Sequence, residues 1–141
     1  MARFDQIVYA EEDIERKLGF PRFVRSGNTL YMSGLLSADE KFELVGPGDM
    51  VVQMRRIYTR FEGMLAKVGA NLQHVTSEIL FATDLQALMT ASHVRREFYA
   101  KHNASIPAST AVQVVALMED RAKVEIECTA VIGPDERAGG T

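Results

Sequence analysis

One stretch, MVVQMRRIYTRFEGMLAKVGA at residues 50–70, most restricts how this chain folds. Its apolar residues recur at spacings of three and four, which makes one stripe: Met50, Met54, Ile57, Phe61, Met64, Leu65 and Val68. The charged residues occupy the opposite side: Arg55, Arg56, Arg60, Glu62 and Lys67. Asp49 can cap such a helix and Gly69 suits its end. The stretch therefore predicts an amphipathic helix that covers one face of a sheet.

Strand signals lie on both sides of this helix. Gly27-Asn28 between two apolar runs is typical of a hairpin, because glycine readily takes the positive φ of a tight turn. Asp84 can cap a second helix, whose inner side includes Leu85, Leu88, Met89, Ser92, Arg95, Phe98 and Tyr99. The pattern predicts strands at about 22–26, 29–33, 42–45 and 79–81, a helix at 85–101, and strands in TAVQVVAL and KVEIECTAVI.

The order of these elements predicts a single α+β domain. Two helices with one apolar stripe each can pack on one face of a mixed sheet, which gives a two-layer sandwich. Apolar residues are expected on the opposite face as well, at Leu30, Met32, Leu80, Val112 and Val114. An exposed apolar sheet face favours self-association. We expect residues 1–20 to be a lead-in segment and residues 133–141 a flexible tail.

Composition excludes several classes of protein. A chain of 141 residues with 47% hydrophobic and 25% charged residues is typical of one globular domain. A net charge of −3 argues against a nucleic-acid partner. The single cysteine, Cys128, excludes an internal disulfide and indicates a cytoplasmic setting. We expect no membrane segment and no secretory signal, because no apolar run is long enough or suitably placed.

Few side chains carry an obvious chemistry. His74, His93 and His102 are not spaced like a metal-ligand set, so no metal is expected. Cys128 falls on the apolar side of its strand, which favours a buried inert thiol over a nucleophile. Glu125 and Glu127 share the other side. They indicate either a solvated strand face or a carboxylate that moves protons in a cleft.

Several separated stretches, taken in order, resemble one family. They are GNTLYMSGLL, DMVVQMRRIYTRFEGMLAKVGANLQHV, FATDLQALMTASHVRREFYAKHN, IPASTAVQVVALMED and KVEIECTAVI, which together span about residues 23–132. The ordered set is similar to the RidA family, also called YjgF/YER057c/UK114. The resemblance implies a chorismate-mutase-like fold and a homotrimer with ligand clefts between subunits. It also implies hydrolysis of reactive enamines and imines to oxo acids and ammonia, without a cofactor.

The resemblance also places candidate site residues. Glu125 matches the glutamate that positions or activates the hydrolytic water, and Ser33 and Gly34 keep the SG at a strand end. Four positions depart from the family's deaminases. Ser109 stands where they carry a carboxylate-binding arginine, Ala111 stands for a cysteine, Phe20 for a tyrosine and Ser92 for an asparagine.

These departures leave three hypotheses. The first is an imine or enamine hydrolase whose substrate is not a usual 2-imino acid, because serine offers no charge for a carboxylate. The second is a non-catalytic small-ligand binding or regulatory trimer. RNA cleavage, an activity attached to the family name, is the least favoured. Arg22, Arg25 or Arg95 could supply a replacement cation, although each is expected at the surface.

Overall fold

The computed structural model describes residues 5–9 and 12–133, which form a six-stranded sheet with helices packed on it. The strands are β1 (Gln6–Val8), β2 (Phe23–Ser26), β3 (Thr29–Met32), β4 (Val75–Ala82), β5 (Ala108–Gln113) and β6 (Val124–Val131). The helices are α1 (Glu12–Leu18), α2 (Met50–Ala66), α3 (Leu85–Thr90) and α4 (Ser92–Lys101). The spatial order is β1-β2-β3-β6-β4-β5, and only β4 and β5 run parallel. The predicted α+β fold with a mixed sheet is confirmed.

Helix α2 forms as its apolar stripe predicts. The Asp49 carboxylate accepts a hydrogen bond from the amide of Val52 at 3.1 Å and caps the helix. Met54, Ile57 and Phe61 are fully buried. Arg60 differs from the prediction, since it is only 6% exposed and its Nη1 donates to the Leu36 carbonyl at 2.6 Å. A long arginine stem can cross apolar surface to reach a polar partner, so its position on a helical wheel does not decide its burial.

The predicted second helix is broken in two at Ala91. The Asp84 carboxylate caps α3 as predicted, accepting from the amide of Ala87 at 3.0 Å. The break changes which side faces the sheet. Met89, predicted to be inside, is 63% exposed, while Val94 is fully buried. A continuous 3.6-residue period does not extend across a break, which is why the predicted inner side was wrong here.

The hairpin and the strand alternation are as predicted, but the sheet faces need a correction. Gly27 adopts φ +59° between β2 and β3. Leu30, Met32 and Leu80 are buried on the side that carries the helices, so they do not form the opposite face. The outer face exposes Val112, as predicted, together with Tyr31 and Val131, which were not predicted there. The uncovered apolar face is therefore present, with only part of its predicted membership.

The ends of the chain also differ from expectation. The lead-in segment contains β1, which pairs with β2, and α1. The strand expected at 42–45 is reduced to one bridge between Ala38 and Leu44, and β5 ends at Gln113. The predicted flexible tail lies, apart from Gly133, outside the described residues. Within residues 5–9 and 12–133, no helix has both the length and the apolar character needed to cross a membrane.

Candidate active site

Glu125 and Ser109 lie on opposite faces of the same sheet. On β6, Glu125 is half-buried between the fully buried Val124 and Ile126, so it points away from the helices. On β5, Ser109 pairs in register with Glu78, which is 2% exposed on the helix side. Residues paired across strands point to the same face, so Ser109 lies on the helix side. One copy of the chain therefore cannot bring these two side chains together.

The glutamate half-site consists of Phe20, Arg22, Gly34 and Glu125. These residues share a cleft that is also lined by Leu18, Leu36, Phe42, Arg60 and Met118. The Glu125 carboxylate lies directly against Gly34, where an added Cβ would stand 3.0 Å from its Cδ and closer still to Oε1. Glycine at position 34 is what permits this approach. The structure thus brings together the predicted residues Phe20, Gly34 and Glu125.

Ser33, predicted to contact substrate, holds the local backbone. Its hydroxyl donates to the Pro21 carbonyl at 2.8 Å, and its amide donates to the Arg22 carbonyl at 2.9 Å. These two bonds tie the end of β3 to the segment before β2. The serine therefore helps to place Gly34, the next residue, beside Glu125.

Arg22 was expected at the surface and is instead 1% exposed. Its Nε donates to Oε1 of the fully buried Glu15 at 3.1 Å, and its Nη1 donates to the Gly34 carbonyl at 3.0 Å. A buried guanidinium needs such partners because an unpaired charge is costly in the interior. The arginine places a fixed positive charge beside Glu125.

The environment of Glu125 suits a proton acceptor. Burial raises the pKa of its carboxyl, the neighbouring Glu127 raises it further, and Arg22 opposes both effects. A general base works best when its pKa lies near the working pH. The raised pKa of Glu125 is a shift toward that requirement.

The serine half-site consists of Arg95, Ser109 and Ala111. Arg95 on α4 donates from Nη2 to the Ser109 hydroxyl, and that hydroxyl donates to the Pro107 carbonyl at 2.7 Å. Ser92 lies one turn before Arg95 on the helix and accepts from Arg96 at 3.1 Å. Ser109 and Ala111 alternate with Thr110 on β5 and are both exposed. Arg95 thus lies at the site rather than at a remote surface, whereas the Arg25 guanidinium donates to the nearby Gly27 carbonyl at 3.0 Å.

Glu78 holds Arg95 in place, and sequence reasoning missed it. Its Oε2 accepts from Arg95 Nε at 2.7 Å and from the Tyr58 hydroxyl at 3.1 Å, while Oε1 accepts from the Tyr99 hydroxyl. Burial alone would lower the pKa of Arg95, but the Glu78 carboxylate outweighs it and the pKa is raised. Burial and Glu78 also raise the pKa of both tyrosines. A glutamate inside the apolar run SEILF was the available signal.

Cys128 has the character predicted for a buried thiol. It is 4% exposed and its Sγ lies 3.1 Å from Met32 Sδ. Burial raises its pKa above the ordinary value for a thiol, with Glu78 adding to the effect. The reactive thiolate is therefore disfavoured. Among the residues that the structure describes, no three His, Cys, Asp or Glu side chains are grouped so as to hold a metal ion.

Comparison with known proteins agrees with this architecture. The family model described as Endoribonuclease L-PSP matches residues 11–132. The 2-iminobutanoate/2-iminopropanoate deaminase of Escherichia coli K12 is 30% identical over 105 residues, which is 74% of this chain and 80% of that protein. The 3-aminoacrylate deaminase RutC of Acinetobacter baylyi is 29% identical over 106 residues, which is 75% of this chain and 81% of the relative.

Solved structures of related proteins share this fold. The YjgF gene product of E. coli superposes with a TM-score of 0.81 at 25% identity, covering 92% of this chain and all of the other. E. coli TdcF with bound serine superposes with a TM-score of 0.74 at 26% identity, covering 81% of this chain and 88% of the other. The chain therefore belongs to the Endoribonuclease L-PSP family, the RidA or YjgF/YER057c/UK114 family of enamine and imine deaminases.

Proposed function

We propose that this protein hydrolyses an enamine or imine in a cleft between subunits of a homotrimer. The observation that carries the proposal is the placement of Glu125, a half-buried carboxylate with a raised pKa, against Gly34 in a cleft. The serine half-site lies on the other face of the sheet, so a complete site needs the glutamate half-site of one copy and the serine half-site of the next. The exposed apolar outer face supports such an assembly.

The chemistry needs one base and one water. An enamine first tautomerises to the imine. The oxygen of a water molecule then bonds to the imine carbon while the Glu125 carboxylate takes a proton from that water and passes it to the nitrogen, which gives a carbinolamine. The hydroxyl proton of the carbinolamine passes to the nitrogen in the same way, the carbon–nitrogen bond breaks as ammonia leaves, and the carbon–oxygen bond becomes a carbonyl. The products are a carbonyl compound and ammonia. General base catalysis of this kind contributes about 10²–10⁴-fold in rate.

The substrate is proposed to differ from the usual 2-imino acids, although relatives are named for imino acids and for 3-aminoacrylate. Ser109 carries no charge of its own, and loss of one charge-assisted hydrogen bond weakens binding by about 10–150-fold, from about 1.5–3 kcal/mol. Rapid hydrolysis of 2-iminopropionate by the purified protein would contradict this point.

Glu125→Gln is the test of the mechanism. The glutamine keeps the shape of the side chain but cannot accept the proton, so kcat on any imine found to turn over should fall about 10²–10⁴-fold. Unchanged turnover would remove Glu125 from the mechanism. Light scattering tests the assembly, because a monomer in solution would leave the two half-sites apart.

The alternative is a ligand-binding or regulatory trimer without catalysis. It is favoured by the joint replacement of four family positions at Phe20, Ser92, Ser109 and Ala111. A thermal-shift screen separates the two functions, because a pure binding protein would be stabilised by ligands and would release no ammonia from imines. RNA cleavage is not favoured, since the net charge of −3 opposes binding to phosphates.

A further inference from the structure

A second cavity lies beside the cleft that contains Glu125. We call it the loop cavity, because two loop segments supply its walls: Leu36, Ser37, Ala38, Phe42, Leu44, Met118 and Glu119. Its volume is about 160 Å³, whereas the volume of the Glu125 cleft is about 30 Å³. Leu36, Phe42 and Met118 line both, so the two cavities share a wall. The hydrolysis proposed for Glu125 uses only the smaller of the two.

The two volumes decide what each cavity of one copy can hold. A water molecule needs about 10–15 Å³. The Glu125 cleft therefore has room for little more than the water that the hydrolysis consumes. An engineered apolar cavity of about 150 Å³ in another protein binds benzene. The loop cavity thus has room for an apolar group about the size of a phenyl ring.

Polar groups in the lining of the loop cavity are already paired with protein atoms. The Ser37 hydroxyl donates to the Val45 carbonyl at 2.7 Å. The Glu119 carboxylate accepts from Nε of Arg121 at 3.0 Å. A polar ligand group would have to compete for these partners, whereas an apolar group gains free energy simply by leaving water. The lining therefore favours an apolar occupant.

The turn that carries Phe42 holds this wall residue in an unusual conformation. Phe42 has φ +64°, which is rare for a bulky side chain. Its amide donates to the Asp39 carbonyl at 3.0 Å, and Asp39 Oδ1 accepts from the amides of Lys41 and Glu43, each at 2.9 Å. Strained residues of this kind persist where the surrounding structure holds them, and they are concentrated at ligand sites. The backbone thus presents the Phe42 side chain to both cavities.

We propose that the loop cavity binds an apolar group of the substrate, about the size of a phenyl ring, while the Glu125 cleft holds the attacking water. The inference deepens the proposed hydrolase and rests on it for the role of Glu125. Because the cavities lie side by side, one molecule can place its apolar group in the first and its imine carbon beside the water in the second. The substrate class is then an imine or enamine with a ring-sized hydrocarbon group. That group is larger than the methyl or ethyl group of the 2-iminopropanoate and 2-iminobutanoate for which relatives are named.

Binding of stable ketones tests the proposal without requiring turnover. The probes are 2-butanone and three ketones with a phenyl ring at increasing distance from the carbonyl: phenylacetone, 4-phenyl-2-butanone and 5-phenyl-2-pentanone. Their affinities are measured by isothermal titration calorimetry on the intact protein. We expect at least one phenyl ketone to bind about 10–150-fold more tightly than 2-butanone, the gain from burying a side chain of this size. Equal affinity for all four probes would overturn the proposal, and this comparison needs no variant.

Ala38→Leu tests whether the ring binds in the loop cavity. Ala38 is 3% exposed and lines the loop cavity but not the Glu125 cleft, so the larger side chain should fill the cavity and remove the gain. Ala100→Leu is the matched control, because it adds the same atoms to an exposed alanine of α4 and should keep the wild-type order of affinities. Met118→Ala removes an exposed part of the shared wall, which puts folding at little risk, and should weaken binding of the preferred phenyl ketone several-fold. A gain that persists in full in both Ala38→Leu and Met118→Ala would place the ring elsewhere and overturn the proposal.

Failure of the proposed hydrolase has a different signature. In that case a phenyl ketone still binds more tightly than 2-butanone and Ala38→Leu still removes the difference, while the wild type releases no ammonia from any imine. Failure of the present inference alone leaves ammonia release from small imines and no gain in affinity from the ring.

Discussion

Gly34→Ala should lower the catalytic activity of this protein while leaving its thermal stability almost unchanged. The φ angle of Gly34 lies outside the left-handed region, so the backbone accepts an alanine. The new methyl group would stand 3.0 Å from both Cγ and Cδ of Glu125 and closer to Oε1. The side chain of Glu125 ends in the cleft, where it has room to move aside, and this keeps the cost to folding small.

The size of the effect on activity follows from that displacement. Moving a catalytic group by about 1 Å can cost about 100-fold in rate. Stability should change little, because replacing glycine by alanine in an allowed conformation contributes about 0.4–1 kcal/mol and the displaced carboxylate offsets part of it. We therefore expect kcat for imine hydrolysis to fall about 100-fold while the melting temperature stays within a few degrees of the wild type.

Gly63→Ala is the control for this experiment. Gly63 lies within α2, its φ also lies outside the left-handed region, and an added Cβ meets nothing within 4 Å. It should raise stability by about 1 kcal/mol without changing kcat. Ammonia release and thermal unfolding measure the two quantities. A Gly34→Ala protein with wild-type kcat would refute the assigned position of the catalytic carboxylate.

Two further predictions concern the charges around Glu125. Glu127→Gln removes a negative charge that raises the pKa of Glu125, so this pKa should fall and the acid limb of the kcat–pH profile should move to lower pH. An acid limb that stays in place or moves to higher pH would contradict the role of Glu125 as base. Glu15→Ala leaves the guanidinium of Arg22 without its buried partner and should cost about 3–5 kcal/mol in urea unfolding. The control Glu97→Ala, which breaks an exposed pair with Arg55, should leave urea unfolding almost unchanged, and equal losses in the two variants would show that Arg22 is not effectively buried.

Local patterns predicted much of the fold. The stripe of α2, the hairpin at Gly27-Asn28 and the alternation of β6 each depend on spacing within a few residues, and each was confirmed. The predicted inner side of the second helix was wrong at Met89, since the break at Ala91 changes the phase of the helix. The secondary structure of the lead-in segment was not predicted, because the contacts that hold it, such as the ion pair of Glu15 with Arg22, are made with residues outside the segment.

The sequence by itself determined helix α2, the hairpin and the alternation of β6, because side-chain period is a local property. Its ordered motifs identified the family, and the resemblance to that family supplied the candidate residues Glu125, Gly34 and Ser109. Only the tertiary structure decided how those residues relate. The parallel register of β4 with β5 sets Ser109 beside Glu78 and on the opposite face from Glu125. The position of Arg95 against Glu78 was likewise decided by tertiary contacts, since the carboxylate that pairs with this arginine belongs to another element, β4.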